Sequence, residues 1–263
     1  VDERELASLA ALRDRDAARE GLMVLEGALL LERALAAGAE PLGALAVPAA
    51  AAGWEAAAAG RFPVFPMSEG DIARVSGFPF HRGVLAVARR PRIGPLRDPP
   101  SGHALCLWGL ADPANLGALA RTGASLGAGS VVLGPGSADP YSRIALRTSM
   151  GAFLSMPVFR SEDAAGCARS LEEAGLASVA AVARGGSDPR GLREDAGRFA
   201  LFLGNEGEGL DEAAIGACRL RATVPMSGKT DSLNVAAAGA ILMWELFAGE
   251  RSGLEKECGT RYN

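Results

Sequence analysis

Three short stretches of this chain collect side chains that could hold a ligand or move a proton: GLADPANLGALARTGASLGA (109–128), FLGNEGEGL (202–210) and VPMSGKTDSLNV (224–235). In the second, Gly204, Gly207 and Gly209 permit a tight turn and a close approach of backbone to ligand, while Asn205 and Glu206 offer an amide and a carboxylate. In the first, Asn115 has the side chain of a helix N-cap, and Arg121 follows almost two turns later after a run of Leu, Gly and Ala. Such an arginine either snorkels to water or projects into a polar cleft. In the third, Asp231 or Ser232 is suited to cap the helix that follows, and Ser232 and Asn234 stand at its mouth. Backbone turns, Asn, Ser, Glu and one Arg suit a site that holds a cofactor and positions an anionic substrate.

Other chemistries fit poorly. The two histidines, His81 and His103, lie outside these stretches, and there is no G-x-S-x-G elbow, so a Ser-His-Asp hydrolase is a poor fit. GKT at 228–230 resembles the end of a phosphate-binding loop, but Thr223 stands where its first glycine is required. Gly127-Ala-Gly129 has Val132 at the third glycine position of a dinucleotide fingerprint and precedes a strand. Four widely spaced cysteines without a C-x-x-C pair give neither a zinc site nor a disulfide scaffold, so a reduced, cytoplasmic protein without metal is expected. No apolar run reaches membrane-spanning length, and the charged N-terminus lacks the apolar centre of a signal peptide. A net charge of −4 excludes a generally basic coat. Binding to a polyanion would rest on few arginines, with Arg82, Arg89, Arg90 and Arg92, and then Arg13, Arg15 and Arg19, as candidates.

Helix patterns and apolar runs alternate on both sides of RPRIGPLRDPPSG (90–102), whose four prolines read as an extended linker. The expected division is 1–90, a linker at 91–102, and 103–263. The first part reads as a helix over 3–19, strands at GLMVLEG, LGALAV, RFPVFP and GVLAVA, helices over 28–38 and 49–59, the latter interrupted by Gly53, and a short helix after Ser68. The second reads as strands ALCLWGL, SVVLG, ASVAAVA, FALFLG and LRATVP separated by helices, including one from Asn115 to Leu126 and a long one over 232–248. Strands apolar throughout and separated by helices argue an α/β fold with a parallel sheet covered on both faces. Ligands of such sheets sit at the carboxyl ends of strands, so the loops after Leu110, Leu203 and Pro225 are the places to look.

The three motifs, in this order over roughly residues 103–248, resemble the SpoU group of SPOUT methyltransferases: Asn-x-Gly-x-x-x-Arg at 115–121, LGNEGEGL, and VPMSGKTDSLNVAAAGAIL. More weakly, LMVLEGALLLERAL and FHRGVLAVA resemble a ribosomal-protein-like RNA-binding domain. The resemblance implies a trefoil-knotted, parallel-sheet catalytic domain, homodimeric, preceded by a small α/β domain that binds RNA. It implies methylation of a ribose 2′-oxygen with S-adenosylmethionine, on ribosomal RNA of the 23S type in preference to transfer RNA. By motif position it places Leu203, Gly204, Val224, Met226, Ser232, Leu233 and Asn234 at the cofactor, and Arg121, Asn115, Glu206, Ser232 and Asn234 in the catalytic site. Ala236 departs from the pattern, since many relatives carry a hydroxyl residue after SLNV. A catalytically silent RNA-binding or ribosome-assembly factor of the same fold is the alternative, against which intact Arg121, Glu206, Ser232 and Asn234 argue.

Overall fold

A computed structural model of the chain describes residues 1–96, 102–192, 197–205, 207–227 and 232–247. The first elements are α1 (Glu3–Ala10), α2 (Asp14–Arg19), β1 (Leu22–Glu26), α3 (Ala28–Ala36), β2 (Pro41–Ala46), α4 (Pro48–Ala58), β3 (Val64–Pro66), α5 (Glu69–Ser76), β4 (Val84–Arg89) and β5 (Gly94–Pro95). There follow β6 (His103–Leu107), α6 (Pro113–Ser125), β7 (Ala128–Leu133), α7 (Arg143–Thr148), α8 (Ala152–Ser155), β8 (Val158–Arg160) and α9 (Ala164–Glu173). The last are β9 (Ala177–Ala181), α10 (Pro189–Leu192), β10 (Phe199–Leu203), α11 (Glu212–Ala217), β11 (Leu220–Ala222) and α12 (Val235–Phe247). They form two compact units. One comprises Val1–Ile93 and Ala138–Ser155, the other Gly94–Ser137 and the chain from Met156 onward.

In the first unit the sheet order is β1-β4-β2-β3, with β4 antiparallel to both neighbours and β2 parallel to β3. Leu6 of α1 and Ile72 of α5 join Val24, Leu45, Leu85 and Val87 in its core. Ser68 caps α5 by accepting from Asp71 N at 3.1 Å, and Gly77 ends it in the left-handed region. The continuous helix expected over 3–19 is instead broken between α1 and α2. Arg143 of α7 satisfies the carbonyls exposed there, donating to Ala10 O at 2.8 Å and Leu12 O at 2.7 Å. Gly53, expected to interrupt its helix, lies inside a continuous α4.

Segment 138–155 is tied into this unit by further arginine contacts. Arg90 grips Asp139 with both guanidinium nitrogens, one at 3.0 Å, and its Cζ lies 5.1 Å from the centre of the Tyr141 ring. Arg90 is thereby removed from the candidate polyanion contacts, because its planar fork is committed to a carboxylate. Arg33 donates to Met150 O, and Arg147 approaches the buried carboxylate of Glu26 at 3.8 Å. Burial holds the Glu26 carboxyl above its ordinary value, against the opposing pull of Arg147, Arg143 and Arg82.

The second unit carries a seven-stranded sheet in the order β11-β9-β10-β6-β7-β8-β5, parallel at every pairing. Its longer strands β6, β7, β9 and β10 are buried on both faces, as the continuous apolar runs require. Cys106, Val132, Ala180 and Phe202 share a core with Cys167 and Leu171 of α9 and Ala214 of α11. Among the described residues Cys106, Cys167 and Cys218 are free thiols, and burial pushes Cys106 and Cys218 up, so they serve as inert packing groups. On the opposite face α6 packs against α12 closely enough that a Cβ at Gly239 would lie 2.3 Å from Leu119 Cδ2. Two short strands, β5 and β8, fall where no strand was expected; they pair with each other, and β5 places its proline at the sheet edge.

Candidate functional site

The carboxyl ends of β9, β10 and β11 open into a cavity of about 270 Å³. Such a position is where open parallel sheets bind ligands. The wall after β10 is a turn that only glycine admits. A Cβ on Gly204 would sit 2.2 Å from Gly209 C and 2.3 Å from Leu210 N, both backbone atoms without freedom to yield. Asn205 organises the rest of the loop. Its backbone pairs with Gly209 in both directions, its Oδ1 accepts from Gly207 N at 2.7 Å, and its Nδ2 donates to Gly109 O at 3.0 Å. The amide expected to face a ligand therefore ties the loop after β10 to the one after β6. Gly109 meets it in the left-handed region at φ 66°.

Val224 and Met226, after β11, and Ser232 and Leu233, before α12, complete the cavity together with Leu203 and Gly204. Six of the seven residues expected at the cofactor thus line one cavity, and Asn234 adjoins them. The cap of α12 is Asn234 and not Ser232, while Asp231 lies outside the described residues. Asn234 Oδ1 accepts from Ala236 N at 2.9 Å and Ala237 N at 3.4 Å. Its Nδ2 donates to Asn115 Oδ1 at 3.3 Å, which brings the first and third motifs into contact. Asn115 does not cap its own helix. Asp112 does so, accepting from Ala114 N at 2.8 Å, with Pro113 in the first turn.

Arg121 is exposed on α6 and is not among the residues lining the cavity. Glu206 lies outside the described residues. Sequence reasoning missed the wall formed by Ala181, Val182 and Ala183, which continues the apolar run of β9, and missed Ile215 of α11 and Leu242 of α12. The signal available for the first was the strand order, which sets β9 beside β10. Among the described residues no group of three or more His, Cys, Asp or Glu converges as metal ligands, and no helix is long and apolar enough to cross a membrane.

Residues 102–244 match the model of the SpoU rRNA Methylase family. An uncharacterized tRNA/rRNA methyltransferase of Mycobacterium bovis is 36% identical over 250 residues, covering 93% of this chain and 86% of that protein. The 23S rRNA (guanosine(2553)-2'-O)-methyltransferase RlmP of Bacillus subtilis is 36% identical over 135 residues, 51% of this chain and 54% of its own. Among solved structures, an AdoMet-bound rRNA methyltransferase from Sinorhizobium meliloti superposes with a TM-score of 0.80 at 25% identity, covering 92% of each chain.

Proposed function

The chain belongs to the SpoU rRNA methylase family, and from that premise we propose that it methylates a ribose 2′-oxygen of RNA with S-adenosylmethionine, in the cytoplasm. The observation that carries this reading is the convergence of Leu203, Gly204, Val224, Met226, Ser232 and Leu233 on one cavity. About 270 Å³ lies just below the usual range for ligand sites, roughly 300–1,000 Å³. Its wall fits the cofactor: the Gly204 turn exposes backbone groups at close approach, and Val182, Ile215 and Leu242 supply apolar surface for a base.

When bound, S-adenosylmethionine supplies an activated methyl group. The protein's own task is then alignment of the acceptor oxygen with that group, which can supply much of the acceleration. Asn115 and Asn234 form the polar rim that orients the ribose, with Ser232 beside them. Arg121, exposed and outside the cavity, clamps the adjacent phosphate and steadies the developing alkoxide. A guanidinium remains protonated, so the hydroxyl proton leaves to Glu206 or to water. No metal takes part in this scheme.

Residues 1–90, joined by 138–155, serve in this reading as the RNA-binding unit and the rest of 103–263 as the methyltransferase, with the trefoil knot that the family resemblance implies. A homodimer is supported by α12, whose outward face carries Ala237, Ile241 and Trp244 one and two turns apart, all exposed. Ribosomal RNA of the 23S type is favoured over transfer RNA by the name of the Bacillus subtilis relative. The test is transfer of labelled methyl from S-adenosylmethionine to unmodified 23S rRNA and to unmodified tRNA, followed by nucleoside analysis. A 2′-O-methylated nucleoside from the rRNA is expected. A base-methylated product, or none, would refute the proposal.

A further inference from the structure

In the first unit Arg82 and Arg147 lie near the buried carboxylate of Glu26, and Arg33 binds the chain just beyond Arg147. Arg82 lies against Gly27, close enough that a Cβ there would be 3.2 Å from Arg82 Cβ. Gly27 follows Glu26, whose side chain is 4% exposed and whose Oε2 makes no hydrogen bond. Arg147 stands 3.8 Å from that oxygen, with its own side chain 44% exposed. Less than one turn beyond, Met150 accepts from Arg33, whose Cδ also faces Gly151. One turn before Arg33 on α3 is Leu29, and one turn before Arg147 on α7 is Ile144, both exposed large apolar side chains.

The arrangement has a consequence for charge. At 3.8 Å the Glu26–Arg147 pair is an ion pair without a hydrogen bond, so it holds the guanidinium in place while leaving its donors uncommitted. Glu26 itself is sequestered, so an approaching anion meets cations and not the carboxylate. Arg33 spends one nitrogen on Met150 O and keeps the remaining donors of its fork. Arg33 and Arg147 are each held by one internal contact while staying open to solvent, which lowers the entropy lost when they bind, and Arg82 is exposed where it lies against Gly27. In a chain of net charge −4, such a grouping is a local exception.

We propose that Arg33, Arg82 and Arg147, flanked by Leu29 and Ile144, form a docking surface for the RNA phosphate backbone, with Glu26 as its buried anchor. The proposal rests on the reading of the chain as an RNA methyltransferase. Its content beyond that reading is the identity of the surface, and above all the part played by α7, which the sequence places between two strands of the other unit's sheet. The contacts are with phosphates and fix position without reading sequence.

The test uses the full chain and unmodified 23S rRNA as probe, with binding measured over a range of salt, methyl transfer measured on the same RNA, and S-adenosylmethionine binding measured by calorimetry. The triple variant Arg33→Ala, Arg82→Ala, Arg147→Ala is expected to bind the RNA more weakly and to flatten the slope of log affinity against log salt by about one unit per arginine. Its cofactor affinity should be unchanged. Because removing Arg33 or Arg147 also removes an internal contact, Arg82→Gln serves as a second variant at an exposed position, and it should lower the slope with little change in melting temperature. If the wild type binds and methylates the RNA while both variants keep its salt slope, the docking surface is refuted and the methyltransferase reading survives. If the wild type neither binds nor methylates the RNA, that reading falls and this proposal falls with it.

Discussion

Asn234 uses the two ends of one amide for two purposes, and the two can be separated by substitution. Its oxygen caps α12, a contact whose loss costs about 1 kcal/mol, and its nitrogen reaches Asn115. Asn234→Asp keeps the acceptor and places a negative charge at a helix N-terminus, so the melting temperature should hold while methyl transfer falls. Asn234→Ala should lower both, and full activity in the Asp variant would remove Asn234 from the site. Arg121 makes the opposite case: an exposed residue with no structural task in view. Arg121→Ala should leave melting and cofactor affinity intact and slow methyl transfer on the order of a hundredfold, with little restored by Arg121→Lys; near-normal turnover would defeat the assignment. Glu26 offers a test by pH. Its folded value is raised above 4.5, so the stability it contributes is present below that pH and is lost as pH rises through the raised value. Glu26→Gln cannot ionise, and its melting temperature should gain on the wild type as pH rises above 4.5 and until the wild-type carboxyl has fully ionised. A constant gap between the two would contradict the raised value.

At the scale of elements, the close approach of α6 and α12 couples packing to the cavity. A Cβ at Gly239 would lie 2.3 Å from Leu119 Cδ2 and 2.9 Å from Leu203 Cδ1, and Leu203 lines the cavity. Gly239→Ala should therefore destabilise the chain by about 1–3 kcal/mol and weaken cofactor binding. Leu119→Ala in the same chain should recover part of the loss by making room, and strictly additive effects of the two changes would argue that the helices do not meet there. Apart from β5 and β8, the main helices and strands of this unit were legible in sequence because their apolar runs are continuous and their ends carry Asp, Asn, Gly and Pro. What was not legible depended on distant partners. The break after Ala10 is held by Arg143, and the actual cap of α6, Asp112, lies three residues before the asparagine that looked suited to the task. Ala181–Ala183 form a cavity wall only because β9 pairs with β10, a neighbourhood that no local pattern encodes.

At the scale of the whole molecule, the chain passes between its two units three times, near residues 93, 137 and 155. The proline-rich stretch alone invites a cut near residue 101. Such a fragment would carry Tyr141, Leu146 and Phe153, all buried in the intact chain, without the residues they are grouped with in the first unit. A fragment of residues 94–263 should bind hydrophobic dye and aggregate, whereas the same fragment with 138–155 replaced by a Gly/Ser linker should melt cooperatively and bind S-adenosylmethionine. Cooperative melting of the unaltered fragment would show that 138–155 does not need the first unit. The same three passages set a timetable for biosynthesis. The first unit cannot close when Ile93 leaves the ribosome, because Arg143 and Arg147 have not yet been made. It must wait for roughly 60 more residues, up to Ser155, a delay of about 3–12 s at ordinary rates of translation. During that interval the carbonyls of Ala10 and Leu12 and the carboxylate of Glu26 lack their guanidiniums, so the nascent N-terminal part is expected to stay open to chaperones until α7 has been made.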